Sequence, residues 1–100
     1  MTPYAVEFTT RALGDIRRLI EGAADQYTLD QRVAYARSVR MRCFSLAQMP
    51  RRYPASFIQG RSLRKASFQA HVIYYSLDED RQLVTVEAIL HGRQDPGRSL

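Results

Sequence analysis

Residues 68–91, with the sequence FQAHVIYYSLDEDRQLVTVEAILH, contain two apolar stretches on either side of a polar turn. The first stretch, residues 68–77, is rich in aromatic and β-branched side chains, which favour extended structure. The second, residues 83–91, alternates with the two-residue period of a strand. One predicted face of this strand carries Val84, Val86, Ala88 and Leu90, and the other carries Thr85, Glu87, Ile89 and His91. The pattern therefore predicts two consecutive strands joined by a turn at residues 78–80.

Two further strands are predicted outside this region. Residues 4–8 (YAVEF) alternate large apolar side chains with small or charged ones, as a half-buried strand does. Residues 61–66, which follow Gly60, form a shorter candidate strand. Residues 51–54 (RRYP) are predicted to be a basic loop, and the glycine- and proline-containing residues 92–100 an irregular tail.

The chain between the first strand and Pro50 has the periodicity of two amphipathic helices. Thr9 and Thr10 offer hydroxyl caps for the first helix, and Thr28 and Gln31 form a capping box for the second. The predicted apolar faces carry Ala12, Leu13, Ile16, Leu19, Ile20 and Ala23 in the first helix and Ala36, Val39, Cys43, Leu46 and Ala47 in the second. Since the connection between them is short, we expect an antiparallel helical hairpin.

These elements predict an α+β fold in one domain that covers residues 1–100. An N-terminal strand is followed by the helical hairpin and then by a three-stranded antiparallel meander. Both helices are expected to pack on one face of the sheet, because each has one apolar side to bury. The other face of the sheet would then remain available for a ligand or partner.

The chain is basic, with a net charge of +5, and its basic residues are 14 arginines and the single lysine Lys65. Arginine binds phosphate and carboxylate in a bidentate manner, so we expect a polyanion or an acidic protein segment as partner. Alternatively, the arginine excess reflects only the base composition of a GC-rich genome. The N-terminal residues lack the pattern of a signal peptide, and no apolar stretch is long enough to span a membrane. We therefore predict a cytoplasmic protein with no membrane partner.

Three segments, in this order along the chain, carry a family resemblance. They are residues 4–9 with Ala12, Asp15 and Ile16, then residues 61–64 with residues 71–75, and finally residues 86–95. Together they resemble the ParE/RelE superfamily of toxins from type II toxin–antitoxin pairs, over nearly the whole chain. The resemblance implies the fold described above, toxin activity, and a cognate antitoxin that joins the toxin in a hetero-oligomer.

The target of such a toxin depends on the branch of the superfamily. RelE-like members cut mRNA on the ribosome, whereas ParE-like members inhibit DNA gyrase without catalytic residues of their own. Residues 71–75 (HVIYY) and 91–95 (HGRQD) are closer to the ParE-like plasmid-stabilisation toxins. The resemblance therefore implies a growth-arresting gyrase inhibitor that is not itself an enzyme. The alternatives are a nuclease acting on ribosome-bound mRNA, and an inactive toxin fold that only binds antitoxin.

The candidate site residues lie in the C-terminal half. Cleavage of RNA requires a base, an acid and a cation that stabilises the added negative charge. A nuclease would take these groups from His91, Arg61, Arg64 and Glu87, with Glu87 expected on the same face as His91. RelE-like nucleases carry a basic cluster and a tyrosine near the C-terminus, whereas here no tyrosine follows Tyr75. We therefore assign no catalytic residue and interpret Arg61, Arg64, His91 and Arg93 as target-binding residues.

Several other reactive side chains are interpreted as structural. His71, Tyr74 and Tyr75 are expected to pack within the sheet, although the two tyrosines could instead stack on bases. Cys43, the only cysteine, lies on the apolar face of the second predicted helix and is expected to be an unreactive core residue. The sequence contains no metal-ligand spacing, no glycine-rich phosphate loop and no Ser/His/Asp set, so neither a metal nor a cofactor is expected. It does not identify the antitoxin-binding residues.

Overall fold

The structure, a computed structural model, describes residues 3–100. Its elements are β1 (Ala5–Phe8), α1 (Thr10–Glu21), α2 (Leu29–Ser45), β2 (Ala55–Ile58), β3 (Arg61–Phe68), β4 (His71–Asp78), β5 (Leu83–His91) and α3 (Pro96–Ser99). Across these described residues the strands form one five-stranded sheet in the order β1-β5-β4-β3-β2. Strand β1 runs parallel to β5, and all other pairs are antiparallel. The predicted α+β arrangement, with a meander in β3, β4 and β5, is confirmed.

Both long helices begin at the positions predicted from the hydroxyl-bearing residues that cap them. Thr9 caps α1, and its side chain accepts a hydrogen bond from the backbone amide of Ala12. Thr28 caps α2 in a complete capping box with Gln31, so two otherwise unpaired amides of the first turn are satisfied. The two helices pack against each other, and α1 also lies on β5.

The predicted apolar face of the first helix extends beyond the end of that helix. Helix α1 ends at Glu21, and Gly22 donates its amide to the carbonyl of Arg18. Ala23 follows with a φ of 55° and is exposed, because the chain leaves the helix there. Leu13 belongs to the helix but lies 53% exposed on its edge. The second predicted face is confirmed in its central part, since Val39 and Cys43 are fully buried.

The second half of the chain differs from the predictions in three places. No strand was predicted for residues 55–58, which form the edge strand β2 and join β3 through a two-residue turn at Gln59 and Gly60. Both turn residues have positive φ, 54° and 75°, as a type I′ hairpin turn requires. Strand β4 begins at His71 rather than at residue 68, because a second tight turn at residues 69–70 separates it from β3. The tail contains one helical turn, which Asp95 caps.

A β-bulge in β5 overturns the predicted division of that strand into two faces. Tyr75 pairs with Val86 and Tyr74 pairs with Ala88, so Glu87 has no partner in β4. An extra residue of this kind reverses the alternation of side chains beyond it. Residues 84 and 86 therefore face the helices, whereas residues 88 and 90 point to the opposite side. His91 likewise does not share a face with Glu87.

The sheet consequently has two apolar faces, which we call the helix face and the open face. The core under the helices includes Ala66, Ile73, Tyr75, Val84, Val86 and Ile89 from the sheet. The smaller core on the open face consists of Tyr74, Ala88 and Leu90 with Ile58, Val72 and Leu100 packed against them. The C-terminal tail thus covers part of the face that was expected to remain free, and Gln59 holds it by donating to the carbonyl of Gly97 at 2.6 Å.

Helix α1 also completes the hydrogen bonding of β5 beyond the end of β1. The Thr9 hydroxyl donates to the carbonyl of Glu87 at 2.9 Å, and the Asp15 carboxylate accepts from the amide of Ile89 at 2.9 Å. These contacts satisfy backbone groups that no neighbouring strand reaches. Within residues 3–100, no helix has the length and apolar character needed to cross a membrane.

Candidate functional site: an open-face ion pair and a basic pocket

Arg61 and Glu87 meet on the open face. The guanidinium of Arg61 lies 3.0 Å from the Glu87 carboxylate, which also accepts a hydrogen bond from the hydroxyl of Ser76 at 2.7 Å. Glu87 follows Val86 and therefore points to this face by ordinary alternation, and Arg61 reaches it from the first residue of β3. The Arg61 side chain is 56% exposed, whereas that of Glu87 is only 13% exposed. The pair therefore presents a cation to the solvent above a largely covered carboxylate.

Arg64 lies on the other side of the sheet. It pairs with Tyr75 in β4, whose side chain belongs to the helix-face core. Its guanidinium donates to the backbone carbonyls of Arg51 and Tyr53. These bonds attach the loop after α2 to the sheet, so Arg64 has a structural contact that the sequence did not indicate.

His91 and Arg93 lie at the end of β5, where the chain leaves the sheet. The Nδ1 atom of His91 accepts a hydrogen bond from the backbone amide of Arg93 at 3.2 Å, and the amide of His91 donates to the Gln94 side chain. Arg93 itself is exposed. The ring of His91 contacts that of His71, its partner across the strands, with 5.4 Å between ring centres.

The residues predicted for a nuclease are therefore not brought together. Arg61 and Glu87 form one pair on the open face, whereas Arg64 and His91 lie on the helix face. The expected proximity of Glu87 to His91 fails because the bulge separates their faces. Of the residues predicted for target binding, Arg61, His91 and Arg93 are exposed on the surface, whereas Arg64 is half-buried.

His71 and Tyr35 form a second polar cluster with His91. The Tyr35 hydroxyl and the Nδ1 atom of His71 are 2.6 Å apart, across 36 residues of sequence. Burial, and to a lesser extent the neighbouring His91, lower the pKa of the His71 imidazole. Burial also raises the pKa of the Tyr35 hydroxyl. Sequence reasoning assigned His71 to packing and did not select Tyr35, because nothing in the local pattern shows which helix residue lies above a given strand residue.

This cluster lines one side of a pocket of about 630 Å³ at the end of the helical hairpin where α1 connects to α2. Its polar lining includes Arg18, Gln26, Gln31, Arg32, Gln69, His71 and His91, and its apolar lining includes Leu19, Tyr27 and Tyr35. Among the described residues, no Asp or Glu lines it. The pocket is therefore basic and rich in hydrogen-bond donors, and neither arginine in it was selected from the sequence.

The structural interpretation of Tyr75 and Cys43 agrees with their burial. The Tyr75 side chain is fully buried, and its hydroxyl donates to the carbonyl of Pro50 at 2.7 Å. Burial raises the pKa of the Cys43 thiol to about 12, so the thiolate is disfavoured. Tyr74 is also buried, at 4% exposure, beneath the tail. In residues 3–100 no group of three or more His, Cys, Asp or Glu side chains is arranged to hold a metal ion.

Comparisons with known proteins agree with this geometry. The family described as "ParE toxin of type II toxin-antitoxin system, parDE" matches residues 6–96. In solved structures, the fold is similar to a chain of the RelBE2 toxin–antitoxin complex of Mycobacterium tuberculosis, with 21% identity, a TM-score of 0.72, and coverage of 94% of this chain and 97% of that one. A chain of the chromosomal ParDE system from P. aeruginosa has 11% identity and a TM-score of 0.74, over 88% of this chain and 95% of that one.

A chain of the intact E. coli RelBE complex is also similar, with 15% identity and a TM-score of 0.63, over 91% of this chain and 99% of that one. At these identities the structural comparisons show the fold alone. No curated protein matches the sequence.

Proposed function

Because the chain belongs to the ParE toxin family of type II toxin–antitoxin systems, we propose that it arrests bacterial growth by inhibiting DNA gyrase and that a cognate antitoxin neutralises it. The action is expected in the cytoplasm, where gyrase works. On this proposal the toxin is not an enzyme: it contacts the topoisomerase and impedes it. Arg61 and Arg93 are the proposed target contacts, because both are exposed and basic.

The observation that carries the choice is the separation of the candidate catalytic groups. General acid–base catalysis requires the acid, the base and the stabilising cation around one scissile phosphate. Here Glu87 is paired with Arg61 on the open face, whereas His91 lies on the helix face beside His71. Arg64 is occupied by backbone carbonyls. This arrangement favours binding over cleavage.

The open face supports a protein contact in a second way. Arg61 and Lys65 point to the same side of β3 and are both exposed, so the face is basic around a small apolar core. Interfaces commonly combine an apolar centre with charged groups at the rim, where the charges set orientation and encounter rate. An acidic surface of the target is therefore the expected counterpart.

The proposed antitoxin partner rests on the family and on the structural relatives. Those relatives are chains from the RelBE2 and RelBE toxin–antitoxin complexes and from the ParDE toxin–antitoxin system. With its net charge of +5, this toxin is expected to prefer an antitoxin segment that carries acidic side chains. Such a segment can order as it binds, and so combine moderate affinity with a large contact surface.

Two assays in parallel test the proposed target. The purified protein should block supercoiling by DNA gyrase and leave ribosome-bound mRNA intact. The main alternative is a RelE-like endonuclease; cleavage of mRNA in the ribosomal A site, with gyrase unaffected, would overturn the choice. If neither assay responds and confirmed soluble expression permits normal growth, the chain is instead an inactive toxin fold that only binds antitoxin.

A further inference from the structure

The basic pocket at the connected end of the hairpin has features that the inhibition of a topoisomerase does not use. It lies between the end of α1, the start of α2 and the turn that joins β3 to β4. It lies on the helix face of the sheet, whereas the pair of Arg61 and Glu87 lies on the open face. The donors and charges of its lining point to a particular chemical class of ligand.

The two histidine rings present donors when they are neutral. Because the Nδ1 atom of His91 accepts from the amide of Arg93, its ring proton lies on Nε2. The Tyr35 hydroxyl lies 2.6 Å from the Nδ1 atom of His71, close enough to donate its proton to that atom. In the tautomer of neutral His71 that accepts this proton, the ring N–H lies on Nε2. In the described part of the chain, neither Nε2 atom has a hydrogen-bond partner.

The two arginines retain unused donors. The guanidinium of Arg18 binds the Asp15 carboxylate, and its side chain remains 63% exposed. Arg32 donates to the carbonyls of Ile20 and Tyr27, which anchors its guanidinium at the end of the hairpin. Since a guanidinium has five N–H groups, each arginine has donors left for a ligand.

We propose that this pocket binds the carboxylate of an acidic side chain of the antitoxin, with Arg18, Arg32 and the rings of His71 and His91 as donors. The assignment rests on the proposed antitoxin-neutralised function and names the chemistry of the contact. A carboxylate accepts at two oxygens and so matches a site that offers N–H groups from several directions. A protein segment fits better than a nucleic-acid strand, because the pocket is partly enclosed and Leu19, Tyr27 and Tyr35 supply apolar contacts beside the donors.

The same geometry makes the contact sensitive to pH. Protonation adds positive charge to His71, and the groups that face it are Tyr35, Arg18, Arg32 and His91. Burial, and to a lesser extent the neighbouring His91, lower the pKa of the His71 imidazole, so the free toxin disfavours this charge. A bound carboxylate supplies the missing anion, so binding and protonation favour each other. The complex is therefore expected to tighten as the pH falls below the ordinary imidazole value of about 6.5.

Binding of the cognate antitoxin, which we expect a short reading frame next to this one to encode, tests the proposal. The variant Arg18→Gln should weaken this binding by about tenfold, the usual effect of losing one charge-assisted hydrogen bond. Arg17→Gln is the matched control, because it removes the same charge from the next exposed position of α1, outside the pocket. His91→Leu should also weaken binding. This second variant is at an exposed position and, unlike Arg18→Gln, leaves the ion pair with Asp15 intact. If both pocket variants bind as Arg17→Gln does, the pocket assignment is wrong, although the antitoxin function stands.

A second experiment does not depend on the antitoxin. Sodium acetate, added to the full chain at constant ionic strength, should shift the Nε2 nuclear magnetic resonances of both histidines, and Arg18→Gln should reduce the shift. Unchanged resonances would overturn the proposal. A response to inorganic phosphate without one to acetate would also overturn it, and would indicate a phosphate ligand instead. Failure of the wild-type toxin to bind the neighbouring protein would count against the antitoxin function, and the acetate result would still decide the chemistry of the pocket.

Discussion

The carboxylate of Asp15 in α1 accepts a hydrogen bond of 2.9 Å from the backbone amide of Ile89, two residues beyond the bulge in β5. Arg11 and Arg18 hold the same carboxylate from the preceding and following turns of the helix. Asp15 is 6% exposed, so it is a buried charge with a full set of donors. This contact joins the first helix to the strand whose bulge separates the candidate site residues.

Removal of this carboxylate should destabilise the protein strongly. Asp15→Ala should lower the free energy of unfolding by about 2–4 kcal/mol, because it leaves a buried amide unpaired and removes the partner of two arginines. Asp15→Asn keeps one acceptor and should cost about half as much. Urea denaturation measures both values, with the exposed Asp25→Ala as control. A loss below about 0.5 kcal/mol in Asp15→Ala, as expected for a surface residue, would contradict the structural role.

The proposed target contact predicts an effect of Arg61 on inhibition. Arg61→Gln should weaken inhibition of gyrase supercoiling by roughly five- to thirtyfold, corresponding to about 1–2 kcal/mol of binding. Folding stability should change by less than about 1 kcal/mol, because the ion pair with Glu87 is more than half exposed on the arginine side. Arg81→Gln, in the exposed turn before β5, removes the same charge elsewhere and should inhibit like the wild type. Equal inhibition by both variants would exclude Arg61 from the contact.

A substitution of His91 distinguishes a toxin that acts by binding from one that acts by catalysis. In a nuclease that used it as acid or base, His91→Ala would reduce the cleavage rate by about a hundredfold or more. In the proposed inhibitor, the same variant should change the supercoiling assay little, because the ring lies on the helix face beside His71. Single-turnover cleavage of ribosome-bound mRNA and gyrase supercoiling are measured on the same sample. Abolished cleavage with unchanged supercoiling would support the nuclease.

The lowered pKa of His71 predicts that the isolated toxin loses stability in mild acid. Below the ordinary imidazole value of about 6.5, the unfolded chain takes up a proton that the folded chain resists. The stabilisation is therefore complete above that pH and is lost as the pH falls toward the lowered folded-state pKa. Urea denaturation at about pH 7.5 and about pH 5.5 should show a smaller decrease for His71→Gln than for the wild type. Equal decreases would show that this ring is not responsible.

Cys43 should be unreactive in the folded toxin. Its thiol is fully buried, and its pKa is raised to about 12, so little thiolate forms near neutral pH. A disulfide reagent such as dithionitrobenzoate should therefore modify it only as fast as the chain opens. Addition of denaturant should restore rapid, stoichiometric reaction. Rapid reaction of the native protein would contradict the core position.

The sequence by itself determined the features whose signals are local. The capping box at Thr28 and Gln31 predicts the start of α2, because two side chains satisfy backbone amides within one turn. The apolar run and polar flanks of residues 83–91 predicted both ends of β5 correctly. Residues 55–58 lack such a signal, since an exposed edge strand buries little and acquires its structure from its neighbour β3.

Only the tertiary structure decided how the candidate site residues are arranged. The bulge at Glu87 depends on how β5 aligns with β4. The two-residue period of one strand does not indicate that alignment. The bulge leaves Glu87 with Arg61 on the open face and turns His91 toward His71 on the helix face, although Glu87 and His91 belong to one continuous strand. The hydrogen bond between Tyr35 and His71 likewise depends on how the hairpin lies on the sheet. Contacts between distant segments depend on how the helices and strands pack together, and a local sequence pattern does not specify that packing.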